Sequence, residues 1–177
     1  GETNQILSAK IRIAGRDVYL FHTRWHESPF ATLEDMGALV DAYRNGELEA
    51  EVYLDRMRRT VEGADRRLEE ARRTVIAVDE IAGDSPVILT GTLNALPGSP
   101  ELTVLEKAGF TDAFAVAGRG PDETWDPARN ELIAREELGV WGPERSARVD
   151  YVLVRGAGIR VEAAEVVLDT PKHELSD

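Results

Sequence analysis

The sequence predicts a layered α/β fold: a largely antiparallel or mixed β-sheet with a long helix lying over one face. Three observations lead there. A short apolar run, Val87-Ile88-Leu89, is bounded by Ser85-Pro86 and by Gly91, the pattern of a buried strand. Val61, Ala64, Leu68, Ala71, Val75 and Val78 recur at spacings of three and four, which marks one side of a helix facing a sheet. Apolar strand-like runs also recur near both ends of the chain with turn signals between them, which favours hairpins over a purely parallel sheet. At 177 residues, the chain reads as a single domain or a partial domain, long enough to bury a sizeable core.

Taken in order, Ile6 to Ala14 alternates apolar and polar residues, Gly15-Arg16 supplies a turn, and Val18-Tyr-Leu-Phe21 follows as the buried partner of a hairpin. Thr32, with Asp35 three residues on, is an N-cap for a helix from Leu33 to about Arg44, which Asn45-Gly46 ends. A second helical stretch covers Glu47 to Ala82, with Gly63 as a point of kink or break, and Gly83-Asp-Ser-Pro86 ends it. The strand at Val87 then runs into the turn Gly91 to Pro100. Glu101 to Ala108 is a short helix, and Phe110 to Ala117 is weakly strand-like. Thr124 to Asn130 is turn-rich, Leu132 to Leu138 helical, and Gly139 to Arg145 irregular. Arg148 to Val154 is a strong strand, Gly156 and Gly158 turn the chain, Ile159 to Leu168 is a further strand, and Thr170 to Asp177 is a loop.

Composition narrows function by exclusion. There is no cysteine, which removes disulfides and thiolate metal sites and favours a reducing, cytoplasmic setting. No apolar run approaches membrane-spanning length, and the first residues are no signal peptide, so a soluble protein is expected. The net charge of −12 argues against long duplex nucleic acid, whose binders carry basic faces. Arg56, Arg58, Arg59, Arg66, Arg67, Arg72 and Arg73 do cluster, but they alternate with acids and read as a solvated, salt-bridged helix face. A small phosphoester, a lipid headgroup or a protein partner suits this charge better.

Chemistry-bearing side chains gather at strand ends. Asn94 is the one amide in the turn that follows Val87 to Leu89, and Thr92 precedes it. His22, Arg24 and His26 follow the strand that ends near Phe21; their spacing would make a histidine metal pair on a helix, but not by itself at a strand end. Asp150 is an acid inside an apolar strand, expected to be buried and hydrogen-bonded because a lone buried carboxylate is costly.

Four of these pieces, in this order, resemble motifs of the endonuclease/exonuclease/phosphatase superfamily, the deoxyribonuclease-I-like phosphoesterases. Phe21-His-Thr-Arg-Trp25 is similar to a strand and loop of the form apolar-Asn-Thr-His-Leu. Gly91-Thr-Leu-Asn-Ala95 resembles Gly-Asp-Leu-Asn-Ala, Arg148-Val-Asp-Tyr-Val152 resembles Arg-Ile-Asp-Tyr-Ile, and Leu175-Ser-Asp177 resembles the start of Ser-Asp-His. Thr124-Trp-Asp-Pro127 also resembles a substrate-side loop of bacterial members. The resemblance spans nearly the whole chain and implies half of a four-layer sandwich, the C-terminal portion of the family domain.

It further implies in-line attack of water on a phosphoester, either a diester or a monoester, with a divalent cation, usually magnesium, neutralising the developing charge. By position, Asn94 would hold the phosphate or the nucleophile, Asp150 would orient a terminal histidine, and Asp177 would work near the metal. Thr92 stands at the position of the water-activating aspartate, and a threonine hydroxyl is no general base. Arg24 stands at the position of the loop histidine; it can hold a phosphate but cannot shuttle a proton at neutral pH. His22 lies two residues away, on the same strand face but displaced by roughly 7 Å. Gly1 aligns midway through the family fold, after the asparagine and metal-anchoring glutamate of the family's first half.

Two functional readings follow: a metal-dependent phosphoesterase seen in part, with an incomplete or degenerate site, or a non-catalytic relative acting as a binding or scaffold module. An unrelated α/β domain is the third. A half-fold would expose one sheet face, so a homo-oligomer or a pairing with the other half is expected.

Overall fold

The computed structural model describes residues 5–27, 31–127, 129 and 146–167. A hairpin comes first, β1 (Ile6–Ile13) and β2 (Arg16–Arg24), paired antiparallel with Ile6 opposite Thr23 and Ile13 opposite Arg16. Two helices follow. In α1 (Leu33–Arg44), the Thr32 side chain accepts from the Asp35 N–H while the Asp35 carboxylate accepts from the Thr32 N–H, the reciprocal box its sequence announces. The long α2 (Ala50–Ala82) runs unbroken through Gly63, which is buried. It leads to β3 (Val87–Thr92), α3 (Pro100–Lys107), the two-residue β4 (Thr111–Asp112), the short α4 (Ala113–Ala117) and β5 (Asp150–Arg155).

The sheet has the order β1-β2-β3-β5-β4 and is mixed: β2 and β3 run parallel, joined by the crossover through α1 and α2, and every other pairing is antiparallel. The fold is therefore the layered α/β arrangement that the sequence predicts. Strand alternation assigns the faces. Phe21, Val87, Leu89, Tyr151 and Leu153 point to the helix side, where they pack with Trp25, Ala71, Val78, Ala82, Leu93, Leu102 and Leu105.

Three local expectations are corrected. The buried line of α2 is Thr60, Gly63, Arg67, Ala71, Thr74, Val78 and Ala82, so Val61 is half exposed and the middle of the helix buries a charge, Arg67. Arg67 is therefore no part of a solvated face; its Nε meets the Glu101 carboxylate at 3.3 Å, with both side chains buried. Its neighbours Arg58, Arg72 and Arg73 do pair with acids one turn away on the exposed side. Phe110 to Ala117 forms β4 and α4, because the Asp112 carboxylate accepts from the Phe114 N–H and starts a helix. Residues 159–167 form no strand; their one ladder contact is a bridge between Ala164 and Gly118. The segments expected over 132–138 and 170–177 lie outside the described residues.

Among the described residues, no helix lies over the other sheet face. In register across it stand Ala9, Leu20, Ile88, Val154 and Thr111, then Leu7, His22, Thr90 and Val152. Leu7 is 71% exposed and Val152 49%, while Leu20, Ile88 and Val154 are half-buried. Apolar side chains on an uncovered sheet face are the surface that a second layer would bury.

Candidate functional site

Polar residues take over this bare face at the C-terminal ends of β2 and β3. The last rank across the sheet is Arg24, Thr92 and Asp150, directly opposite one another in register. The rank before it holds His22 beside Thr90, with the His22 Nδ1 at 3.1 Å from the Thr90 hydroxyl. The Thr90 hydroxyl also donates to the Phe21 carbonyl at 3.2 Å. The sequence thus brings His22, Arg24, Thr92 and Asp150 together on one face because all four occupy even positions of strands in mutual register.

Thr92 donates its hydroxyl to Asp150 Oδ1 at 2.5 Å. A hydrogen bond to a carboxylate is shorter and stronger than a neutral one. The expectation that Asp150 is buried is corrected: it is hydrogen-bonded but exposed, because its strand face is the uncovered one. Its strand neighbours Tyr151 and Leu153 supply the buried side. Arg24 bonds Glu27 at 2.7 Å, with both side chains more than half exposed. Such a pair contributes about 0–1 kcal/mol, so a phosphate can take the guanidinium from Glu27 at little cost.

Asn94 sits just past β3 with φ of +49°, in the left-handed region that Asn tolerates better than most residues. Its Nδ2 donates to the Trp25 carbonyl at 3.0 Å, tying the loop after β3 to the loop after β2. The Trp25 N–H in turn donates to the Thr92 carbonyl at 3.0 Å. Gly91 makes this approach possible: a Cβ there would lie 1.9 Å from the Thr23 carbonyl oxygen. On the other side the Leu93 N–H donates to the Val149 carbonyl at 2.8 Å, fixing β5 to the same turn.

Two contributors carry no recognisable sequence signal for the part they play. Thr124 lies in the segment read as a substrate-side loop, yet its hydroxyl accepts from both the Val149 and Asp150 N–H groups at 3.1 Å and braces the start of β5. Glu70, on α2, accepts from the His26 N–H at 2.7 Å. His26 also lies 3.5 Å from an Arg66 Nη, so the two histidines of the His22 to His26 stretch have separate surroundings.

Behind the sheet, Arg148 is buried between the rings of Phe114 and Tyr151, with Asp112 at 2.7 Å and Asp122 at 3.2 Å. Tyr151 donates to the carbonyls of Ala95 and Arg148, and burial pushes its phenol pKa well above the usual 10. A cavity of about 320 Å³, lined by Ala64, Leu68, Leu96 and Pro100 with Arg67 and Glu101, lies between α2 and α3. It faces the helix layer and includes none of the polar rank.

The order of the motifs along the chain, and the convergence on one sheet end of the three that lie in the described residues, agree with the comparison to known families. The model of the Endonuclease/Exonuclease/phosphatase family matches residues 6–177. The chain belongs to this family. Comparison with the curated proteins finds no match. Among solved structures, a β-hairpin deletion mutant of beta toxin from Staphylococcus aureus aligns with a TM-score of 0.62 at 20% identity, covering 97% of this chain and 52% of the toxin chain. An endonuclease/exonuclease/phosphatase from Bacteroides vulgatus aligns with a TM-score of 0.57 at 17% identity, covering 90% and 46%. A further beta toxin mutant, with bound magnesium ions, aligns with a TM-score of 0.59 at 19% identity, covering 93% and 47%. The chain therefore spans about half the length of the solved structures it matches, and these establish the deoxyribonuclease-I-like fold.

Magnesium suits the family, and its fit can be tested on the side chains present. Among the described residues, no group of three or more histidine, cysteine, aspartate or glutamate side chains is placed to hold a metal ion. The polar rank contributes one carboxylate, Asp150, and its Oδ1 already accepts from Thr92. The described residues do not by themselves make a magnesium site. Asp177, expected near the metal, lies outside them. No helix among the described residues is long and apolar enough to cross a membrane.

Proposed function

We propose that this chain is the phosphate-holding part of a phosphoesterase-family domain, one that binds a phosphoester and does not hydrolyse it unaided. The observation that supports this is the Thr92–Asp150 hydrogen bond. Where the family resemblance calls for a water-activating acid, a hydroxyl stands, and its proton is donated to the neighbouring carboxylate. No general base is left at that position.

The binding half of the chemistry keeps its parts. Asn94 carries an amide at the strand end, and Arg24 can present a planar fork to a phosphate oxygen. Thr92 and His22 line the approach. The ligand is a small phosphoester or a lipid headgroup, since a net charge of −12 repels a long duplex. The bare apolar face containing Leu7, Leu20 and Val152 is covered in use by a further sheet, from a second copy or from another segment of polypeptide.

The test is turnover of bis-p-nitrophenyl phosphate and p-nitrophenyl phosphate with magnesium, for the unmodified chain, Thr92→Asp and Asn94→Ala, with light scattering on the same samples. The expected outcome is no turnover above background for the unmodified chain or Thr92→Asp, and association beyond the monomer. Loss of a general base alone removes about 10²–10⁴-fold. Metal-dependent turnover by the unmodified chain, abolished by Asn94→Ala, overturns the reading and makes the chain an enzyme.

A further inference from the structure

We infer that Glu70, on α2, is a positioning residue for Asn94: the two side chains hold opposite ends of one peptide group, that of Trp25 and His26. The Trp25 carbonyl accepts from Asn94 Nδ2 at 3.0 Å, and the His26 N–H donates to Glu70 Oε2 at 2.7 Å. A peptide group is planar and rigid, so fixing its N–H fixes the direction of its carbonyl. The carbonyl direction in turn sets where the Asn94 carboxamide sits.

The surrounding bonds remove the alternatives for this peptide. The Trp25 N–H is held by the Thr92 carbonyl at 3.0 Å. The Trp25 ring is buried, and its Nε1 donates to Thr74 Oγ1 at 3.3 Å, on the same helix one turn beyond Glu70. Thr74 itself donates to the Glu70 carbonyl at 2.8 Å. Helix α2 thus grips the two residues after β2, the Trp25 ring through the Thr74 hydroxyl and the His26 N–H through the Glu70 carboxylate, and the Asn94 turn leans on the result. Asn94 needs such support, because its backbone is in the left-handed region and the loop that carries it is rich in glycine and proline. A carboxylate accepting a backbone N–H at 2.7 Å is a charge-assisted bond, among the stronger ones a protein makes. The consequence for ligand binding rests on the reading of Asn94 as a phosphate-holding residue.

The experiment is amide NMR on the ¹⁵N-labelled chain with Glu70→Ala and Glu70→Gln, followed by titration with dimethyl phosphate. Glu70→Ala is expected to move the Asn94 side-chain NH₂ pair and to raise His26 amide exchange about tenfold, since a hydrogen bond to a charged group is worth roughly that or more. Glu70→Gln keeps an acceptor: the Asn94 pair stays in place, and the His26 amide proton moves upfield as the charge is lost. Dimethyl phosphate affinity is expected to fall several-fold in Glu70→Ala, to be restored in Glu70→Gln, and to be insensitive to Glu70→Ala in an Asn94→Ala background. An anchor for the loop alone would not produce that coupling. Asn94 side-chain resonances unmoved by Glu70→Ala, or a His26 amide unmoved by Glu70→Gln, overturn the inference. No response of the unmodified chain to dimethyl phosphate sinks the phosphoester reading instead, and the resonance and exchange measurements still decide the clamp.

Discussion

Gly91→Ala is expected to be among the most damaging single-atom additions in this chain. The residue lies in β3 opposite Thr23 of the parallel strand β2. An added Cβ would meet the Thr23 carbonyl oxygen at 1.9 Å and its carbon at 2.9 Å, both backbone atoms that no rotamer change can move aside. Ordinary contact begins near 3.4 Å, so the strands must separate by roughly 1.5 Å. The bond from the Trp25 N–H to the Thr92 carbonyl, now 3.0 Å, cannot survive that separation, nor can its ladder neighbours. Two or three lost backbone bonds at about 1 kcal/mol each, with about 1 kcal/mol for a side chain at a φ of +156°, give roughly 3–4 kcal/mol. For a chain of this length that is a fall in Tm of about 6–16 °C. The control is Gly37→Ala in α1, where an added Cβ meets nothing within 4 Å. It is expected to stabilise by about 0.5–1 kcal/mol through helix propensity. Both are read by circular dichroism melts. A Gly91→Ala melt within 2 °C of the unmodified chain refutes the strand-contact reasoning, and a fall for Gly37→Ala of the same size as for Gly91→Ala shows that any added methyl is harmful.

Two further outcomes follow from buried polar groups. Arg67→Ala leaves Glu101 as an uncompensated buried carboxylate and should cost about 3–5 kcal/mol, whereas Arg67→Met with Glu101→Leu should lie within about 1 kcal/mol of the unmodified chain or above it; a double variant as unstable as the single one, in urea melts, contradicts this. The Tyr151 phenol has its pKa raised by burial, so its contribution is fully present below pH 10 and is lost as pH rises through the folded value. Tyr151→Phe should therefore cost about 1–2 kcal/mol at pH 7, through the two carbonyls it leaves, yet flatten the loss of stability between pH 10 and 11; an unchanged alkaline slope counts against it.

What could be read from the sequence was what is decided locally. The Thr32–Asp35 box, the apolar run at Val87 and the helix stop at Asn45-Gly46 depend on residues a few positions apart, and the structure shows each of them. Most of the misreadings are non-local; the exceptions are the Asp112 cap that makes Ala113–Ala117 a helix and the unbroken helix at Gly63. Arg67 looks like its exposed neighbours until Glu101, from another helix, comes to meet it. Asp150 looks buried because its flanking valines are apolar, but alternation puts it on a face that nothing in the described residues covers. Residues 159–167 have strand composition, yet Ala164 bonds to Ala117 and Arg119, at and just past the end of α4, and extends no strand of the sheet among the described residues. In the site, Asn94, Thr92, His22 and Arg24 could be picked out as polar residues at strand ends. Glu70 could not, because one acid among many on a charged helix carries no mark of the peptide it holds.

The polar rank also explains how a threonine at position 92 is stable here. Arg24, Thr92 and Asp150 stand opposite one another on adjacent strands, the positions where like charges are destabilising and hydrogen-bond pairs favourable. With aspartate at 92, two carboxylates would face each other at hydrogen-bond distance, and one would take up a proton or a cation would have to sit between them. With threonine, the hydroxyl donates to Asp150 and no cation is required. The neighbouring Asn94, and the peptide it shares with Glu70, are held by separate bonds. The Asn94 amide is set by the loops after β2 and β3 and by α2, whereas the Thr92–Asp150 hydrogen bond is set by the register of β3 with β5, so each can change with the other in place.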